Sequence, residues 1–562
     1  MNYDVLLIHP PAIYDFRKRT IFPGAMGSSA EQIQFTKVSI GLLSIAEYLD
    51  RHGYKTVIDN LGYRMVDDRE FDAEEHIRNS EARVYAIGLH WQQHSQGAIE
   101  IARLCKELHP NSLVVVGGLT STRFNEEIIE KYKFVDAVIR GEAEKPFLEF
   151  MKSLDEYGEI KATPNLTYRN ENGETIVTPL MPPSESLDEY EFTRLDLVEP
   201  QSSIFSEPIP RWSLEVCRGC IYNCNICGGS AYTYKKYLGR NKPAFRSPER
   251  IVDDIIRLGE QGIRYAGIYQ DPRMGGKQYW KDLMKTIRDK RPAVEKITFD
   301  IFSPVDEEFV KEVATLGKQV ILYICPDSGS SCIRGSLGRF YTNDELLSSI
   351  QLCHRYHIPV VTFFSVGLAG ETHNEIAETY DLWDKLRMLD QKAITKGGFG
   401  RRDKTPVGGP IIGPIFVDPG SPAYDSPEKY GYKLLFNNLE EYIEGLSKPG
   451  WHQWLNYETK LLDKNKLVDY IYESVDFGIE QAEKLGLCDD IVKNRKLILN
   501  KIDKIVTDEI DKMYRLNNPA EIESRLTSIK ESVNNLVSLK QANNDKYGYQ
   551  KMILDKINTG CV

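Results

Sequence analysis

Four cysteines crowd into one short run, Cys217-Arg-Gly-Cys220-Ile-Tyr-Asn-Cys224-Asn-Ile-Cys227. Thiolates at such spacing bind metal. Zinc ribbons separate two Cys-x-x-Cys pairs by a long excursion so that four sulfurs can close a tetrahedron. Here only Ile221, Tyr222 and Asn223 stand between Cys220 and Cys224. A compact loop suits an iron-sulfur cube better, because each thiolate must reach a different iron. This cysteine cluster is therefore the expected metal site. Cys217 is either a fourth ligand or a bystander thiol of the kind that packs as a small apolar residue. The remaining cysteines, Cys105, Cys325, Cys332, Cys353, Cys488 and Cys561, are too scattered for a disulfide framework.

A chain of 562 residues exceeds what one core can hold, so about three to four domains are expected. With 41% hydrophobic and 27% charged residues it reads as globular rather than disordered. The net charge of -11 argues against a protein that works by neutralising a nucleic-acid backbone, and no nucleic-acid partner is expected. The N-terminus enters only a short apolar run, Val5 to Ile8, and no stretch reaches the roughly 18 apolar residues of a membrane span. A cytoplasmic protein without a transmembrane segment is the expectation.

Residues 1–150 alternate β-branched runs at 5–9, 55–59, 84–90, 112–118 and 136–141 with amphipathic stretches. That alternation predicts a doubly wound parallel sheet of Rossmann or flavodoxin type, with ligands at the carboxyl ends of its strands. Residues 151–205, rich in Pro, Asn, Glu and Ser, read as a linker carrying a small hairpin at Asn170 to Gly173. From 206 to 400 a second alternation begins, strand and helix in turn, which predicts a partial (β/α)6 barrel with its chemistry at the strand ends. Residues 401–562 turn Gly- and Pro-rich and then helical, and are expected to cap the barrel and shape substrate access. In that region Trp451, His452, Trp454 and Tyr457 are either pocket residues or core.

The Cys-x-x-x-Cys-x-x-Cys spacing of Cys220, Cys224 and Cys227, after the first barrel strand, resembles the signature of the radical S-adenosylmethionine (SAM) superfamily. The resemblance implies a 4Fe-4S cluster whose fourth iron is left to SAM, and a 5′-deoxyadenosyl radical formed by reductive cleavage. It also implies an electron donor such as flavodoxin or ferredoxin. This sequence departs from the family at two places. Ile226 stands where an aromatic usually packs near the adenine, and Gln270-Asp271-Pro-Arg-Met-Gly-Gly replaces the familiar Gly-Gly-Glu, leaving Asp271 as the polar candidate for the methionine amine. Downstream, the run 326–346 resembles the family's fourth-strand segment. It offers Asp327 and Ser328 to the SAM ribose and Arg334 or Arg339 to the methionine carboxylate, unless this is only a Ser-rich loop ending in a helix cap at Thr342 or Asn343. Val366 to Thr372 resembles the loop that approaches adenine by its backbone, with Gly367 as the contact.

The resemblance extends to the N-terminal domain, which looks like the cobalamin-binding domain that precedes the barrel in one branch of the superfamily, and so covers residues 1–400. Within that branch the chain looks most like a subgroup that shares 418–432 and the later Leu455-Asn-Tyr-Glu-Thr. The histidine motif that supplies a lower axial ligand is absent; His52 stands before Gly53 and reads as a last-turn residue of a helix. The rim candidates for cobalamin are His9, Pro10, His90, Trp91, Gly117, Gly118, Thr120, Ser121, Gly141 and Glu142, the two central glycines admitting the cofactor close to the backbone. By this resemblance the expected function is a cobalamin-dependent radical SAM methyltransferase acting on an unactivated carbon of a small-molecule or peptide substrate. The alternatives are carbon-carbon coupling, rearrangement or dehydrogenation, and, in another class, a non-catalytic iron-sulfur sensor or a domain that keeps the fold without cobalamin.

Overall fold

The computed structural model of the chain describes residues 2–19, 37–206, 209–395, 407–486, 490–515, 522 and 524–527. Cys488, Cys561 and residues 528–562 of the stretch expected to be helical lie outside the described residues.

Alternating β-branched and amphipathic segments build an N-terminal sheet from β1 (Tyr3–His9), β2 (Thr56–Asn60), β3 (Ala82–Gly88), β4 (Leu113–Gly117), β5 (Ala137–Ile139), β6 (Leu166–Arg169), β7 (Thr175–Val177) and β8 (Val198–Glu199). Its order is β7-β6-β5-β4-β3-β1-β2-β8. The central strands run parallel, and Val5 to Ile8 are buried on both faces, as helix-covered parallel strands must be. The stretch 151–205 is more than a linker. Its hairpin adds β6 and β7 antiparallel to β5, and β8 closes the opposite edge beside β2. The hairpin stands where its Asn170 to Gly173 turn predicts it; its pairing with the sheet and the two-residue β8 were hidden, because edge strands this short carry no period.

The second sheet contains β9 (Arg211–Glu215), β12 (Tyr265–Tyr269), β13 (Lys296–Ile301), β14 (Gln319–Asp327), β15 (Val360–Val366) and β16 (Val407–Pro414). A short ribbon of β10 (Cys217–Arg218) and β11 (Ala244–Phe245) interrupts that series after β9. All six long strands are parallel and pair in chain order. The last lies beyond residue 400, in sequence whose glycines and prolines mask its strand character. A final two-stranded ribbon joins β17 (Tyr432–Leu434) to β18 (Tyr457–Thr459).

Helices cover the outside of this half-barrel. Pro248–Glu260 is typical: Ser247 accepts from Arg250 N–H at the cap, Pro248 opens the first turn, and Ile251, Val252, Ile255 and Leu258 face the sheet. Thr342, not Asn343, caps Asn343–Arg355, in a reciprocal capping box with Glu345. A closed eight-stranded barrel fills its interior with side chains. Six strands leave it open, so β14 alternates buried outward residues with half-buried inward ones, Tyr323, Cys325 and Asp327 among them.

Candidate functional site

The cysteine loop leaves the end of β9 and is pinned on several sides. Cys220 and Cys227 each accept a backbone hydrogen bond at sulfur, from Tyr222 N–H and Gly229 N–H, both at 3.3 Å. The segment after β16 clamps the loop: Asp418 accepts from Gly228 N–H at 2.9 Å, Asp418 N–H donates to Ile226 O at 3.1 Å, and Ala423 N–H donates to Asn225 O at 2.8 Å. From the other flank Asn225 donates to Ser336 O. Among the described residues no three His, Cys, Asp or Glu side chains gather around a single ion. Half-buried thiols on one loop, with amides aimed at sulfur, fit a cube that takes one thiolate per iron and is tuned by hydrogen bonds. Cys217 differs from the three. It is buried in β10, its thiol points at Gly219 O at 3.6 Å, and burial pushes its pKa far up.

The side chains expected to hold SAM divide sharply. Asp271 turns inward: it accepts from Arg273 N–H and from Phe302 N–H at 2.9 Å, and its carboxylate is locked to the Arg273 guanidinium at 2.6 Å. A methionine amine would find it occupied. Arg334 is likewise spent, donating to Ser328 O at 2.8 Å and to Tyr341 O at 2.9 and 3.1 Å, with no exposed surface. Ser328 is buried against Thr379. Gly367, at φ 94°, is required by packing, since a Cβ there would meet Tyr457 Oη at 2.4 Å. Ile226 is half-buried and contributes its carbonyl to the clamp. The exceptions are Asp327 and Arg339, which pair at 2.9 Å beside Cys224. Burial raises the Asp327 pKa against the lowering effect of Arg339.

One cavity of about 1590 Å³ joins the two sheets. That exceeds the roughly 300–1,000 Å³ of an ordinary small-ligand site. The first sheet contributes Gly88, His90, Trp91, Gly117, Gly118, Thr120, Gly141 and Glu142; the half-barrel contributes its inward residues Ser213, Tyr265, Thr298, Asp300, Tyr323 and Phe363, and Cys227 stands on the shared wall. Its lining is mainly apolar with a few polar groups, a surface suited to a large, flat organic cofactor and an adjoining substrate. His9, Pro10 and Ser121 are buried behind this wall and do not line it. Gly118 owes its residue type to its own chain, for at φ 127° a Cβ would strike Leu89 O at 2.4 Å. Gly117 faces the cavity without such a contact. His90 is kept neutral, its pKa lowered to about 4 by burial and by Arg218 and His9. His52 bonds to Tyr48 O on an exposed helix end, far from any cofactor role. Trp451, His452, Trp454 and Tyr457 are core residues.

Glu142 lines the cavity with its carboxylate already paired. It receives a two-point ion pair from Arg240 at 2.6 and 2.8 Å, while Arg218 reaches Glu144 at 2.7 Å and Glu215 at 3.0 Å. This buried network ties the first sheet to the start of the cysteine loop. Sequence reading missed it, and missed Asp300 as well, a carboxylate facing the open interior whose pKa burial raises to about 6. An acid at an inward position of a strand, in Lys296–Ile301, was the available signal.

The family model "Radical SAM superfamily" matches residues 214–382, and that of the "B12 binding domain" matches 30–151. The uncharacterized methyltransferase PH0819 of Pyrococcus horikoshii is 25% identical over 290 residues, 51% of this chain and 61% of the relative. The chain therefore spans about three fifths of that relative. The radical SAM methyltransferase TsrM of Kitasatospora setae, solved with tryptophan substrate and a SAM analog, shares the fold at TM-score 0.57 and 16% identity over 85% of this chain and 89% of its own. The cobalamin-dependent SAM radical enzyme OxsB, with aqua-cobalamin and SAM bound, does so at 0.56 and 14% over 99% and 83%.

Proposed function

Because the chain carries a radical SAM domain behind a B12-binding domain, we propose that it cleaves SAM reductively and transfers a methyl group through cobalamin to an unactivated carbon. The observation that carries this reading is spatial: the thiolate loop and the strand ends of the first sheet open onto one cavity, through Cys227 on one side and His90, Gly117 and Thr120 on the other. When bound, the cluster and SAM would supply a 5′-deoxyadenosyl radical, and cobalamin would supply the methyl group. Cys220, Cys224 and Cys227 would hold the cluster; Arg339 and Asp327 would meet the charged ends of SAM; Gly117, Gly141 and Thr120 would lie against the corrinoid.

The chain's own part is to hold reactants in register and keep water out. The Arg218 network fixes the first sheet against the cysteine loop, and the clamp from Asp418 to Ala423 fixes that loop from outside. Asp300 lines the same cavity as Tyr265 and Tyr323, whose phenols hydrogen-bond to each other at 3.1 Å, and offers an acceptor to a donor group of the substrate. PH0819 and TsrM both bear the name methyltransferase, which supports methyl transfer over other radical outcomes.

The test is anaerobic purification followed by incubation with reductant and SAM carrying a labelled methyl group. Iron-sulfur and corrin absorption together, 5′-deoxyadenosine, and product heavier by one labelled methyl are expected. Absence of 5′-deoxyadenosine refutes radical initiation; 5′-deoxyadenosine with product lacking the label refutes methyl transfer and leaves coupling, rearrangement or dehydrogenation.

A further inference from the structure

The helix Asp490–Arg515 packs one face on Lys464–Lys484, through Asn500 to Tyr472 O at 3.0 Å, Thr507 to the Tyr472 hydroxyl at 2.8 Å and Lys504 to Asp469 at 2.8 Å. The opposite face is not polar, as a solvated face should be. It carries Ile491, Ile498 and Ile505, which are 79%, 48% and 54% exposed. A seven-residue spacing of β-branched apolar residues on one stripe is the pattern of a helix that expects a second helix.

The charges beside the stripe indicate which helix. Along one flank run Arg495, Ile502 and Glu509, again seven apart; along the other run Asn494, Lys501 and Asp508. A parallel copy would oppose Arg495 to Arg495 and Glu509 to Glu509. An antiparallel copy, with its two-fold axis near Ile502, sets Arg495 against the partner's Glu509 twice over, packs Ile498 beside Ile505 across the axis and meets Ile502 with itself. Lys501, near the axis on the other flank, is exposed and long enough to turn its ammonium to water. A patch that complements itself under a two-fold rotation is the form an isologous dimer contact takes.

We propose that this chain forms a homodimer through the outward face of Asp490–Arg515, two helices pairing antiparallel over the isoleucine stripe. No residue of the stripe lines the cavity between the sheets, so the dimer leaves that lining untouched. The experiment is sedimentation velocity and light scattering on the full-length holoprotein at micromolar concentration, with circular dichroism to check the fold of each variant. Twice the chain mass is expected, falling to the single-chain mass in Ile498→Glu and Ile505→Glu. Arg495→Glu and Glu509→Arg should each weaken the dimer by tenfold or more, and the double exchange R495E/E509R should restore it. A single-chain mass for the unaltered protein overturns the proposal. So does a dimer that survives Ile498→Glu together with Ile505→Glu, or a double exchange that fails to rescue.

Discussion

Replacing Arg218 by Ala should loosen the joint between the two sheets more than any other single substitution near the site. The guanidinium sits 2.7 Å from Glu144, 3.0 Å from Glu215 and 3.9 Å from Glu142, beside the rings of Tyr190 and Phe192. Glu142 keeps Arg240, but Glu144, 2% exposed, keeps only the Ser44 hydroxyl at 2.6 Å. Removing one partner of a buried ion pair costs about 3–5 kcal/mol, because the other charge is left behind. The assay is hydrogen exchange over residues 140–150 and 211–230, which reads local opening where a multidomain chain has no single unfolding free energy. Opening should become roughly 100- to 4,000-fold more frequent, at about 1.4 kcal/mol per factor of ten. The pH dependence follows from the stranded acids. Burial already raises the Glu215 pKa above the usual 4.5 against the lowering effect of Arg218, and losing Arg218 raises it further. A folded-state carboxyl with a raised pKa loses stability as pH rises, so the defect should be smallest in acid and grow above about pH 4.5. Glu144→Gln should rescue the variant by removing the orphaned charge. A change below tenfold, or no rescue, would refute the assignment of this network as the joint.

Alanine at Cys220, Cys224 or Cys227 should abolish iron-sulfur absorption, whereas Cys217→Ser should retain it; loss in Cys217→Ser would make that buried thiol a ligand. Asp300→Asn should leave iron, corrin and SAM binding intact and abolish product formation, measured as labelled product per 5′-deoxyadenosine. With its pKa raised from 3.8 to about 6, Asp300 destabilises the fold progressively as pH rises between those values, so the Asn variant should be more stable above pH 6, by up to about 3 kcal/mol at 1.4 kcal/mol per pH unit, in thermal melts. Arg339→Gln should weaken SAM binding by about 2 kcal/mol or more, seen by calorimetry on the reconstituted protein, while Arg334→Lys should alter stability before affinity.

Much of the architecture was legible because periodicity reports burial. The five parallel runs of the first domain and the first five strands of the half-barrel stand where alternation placed them. What was hidden had no such period: β8 is only two residues long, and β16 is built largely of Gly, Pro and Ile, so composition spoke for a loop. The site was legible in part. Cys220, Cys224 and Cys227 lie so near one another in sequence that their meeting on one loop could be read from the chain alone. Asp271, Ser328 and Arg334 show the limit: sequence gives the type of a polar group but not whether its hydrogen bonds are already taken. Arg334 and Arg339 look alike as letters, yet one caps its own loop and the other sits beside Cys224.

On the proposed reading, that difference also bears on how a charged ligand would enter the site. Asp327 and Arg339 neutralise each other at 2.9 Å, each about one-sixth exposed, so neither stands as an isolated buried ion in the absence of a ligand. The amino-acid end of SAM brings one ammonium and one carboxylate. On the proposed reading it would exchange one ion pair for two without adding net charge, the carboxylate taking the Arg339 guanidinium and the ammonium taking Asp327. A lone basic residue would have to bear the full cost of burial before binding. A pre-paired acid and base would bear it together, so on the proposed reading this pair, rather than the more deeply buried Arg334, is the polar contact around which SAM would be arranged.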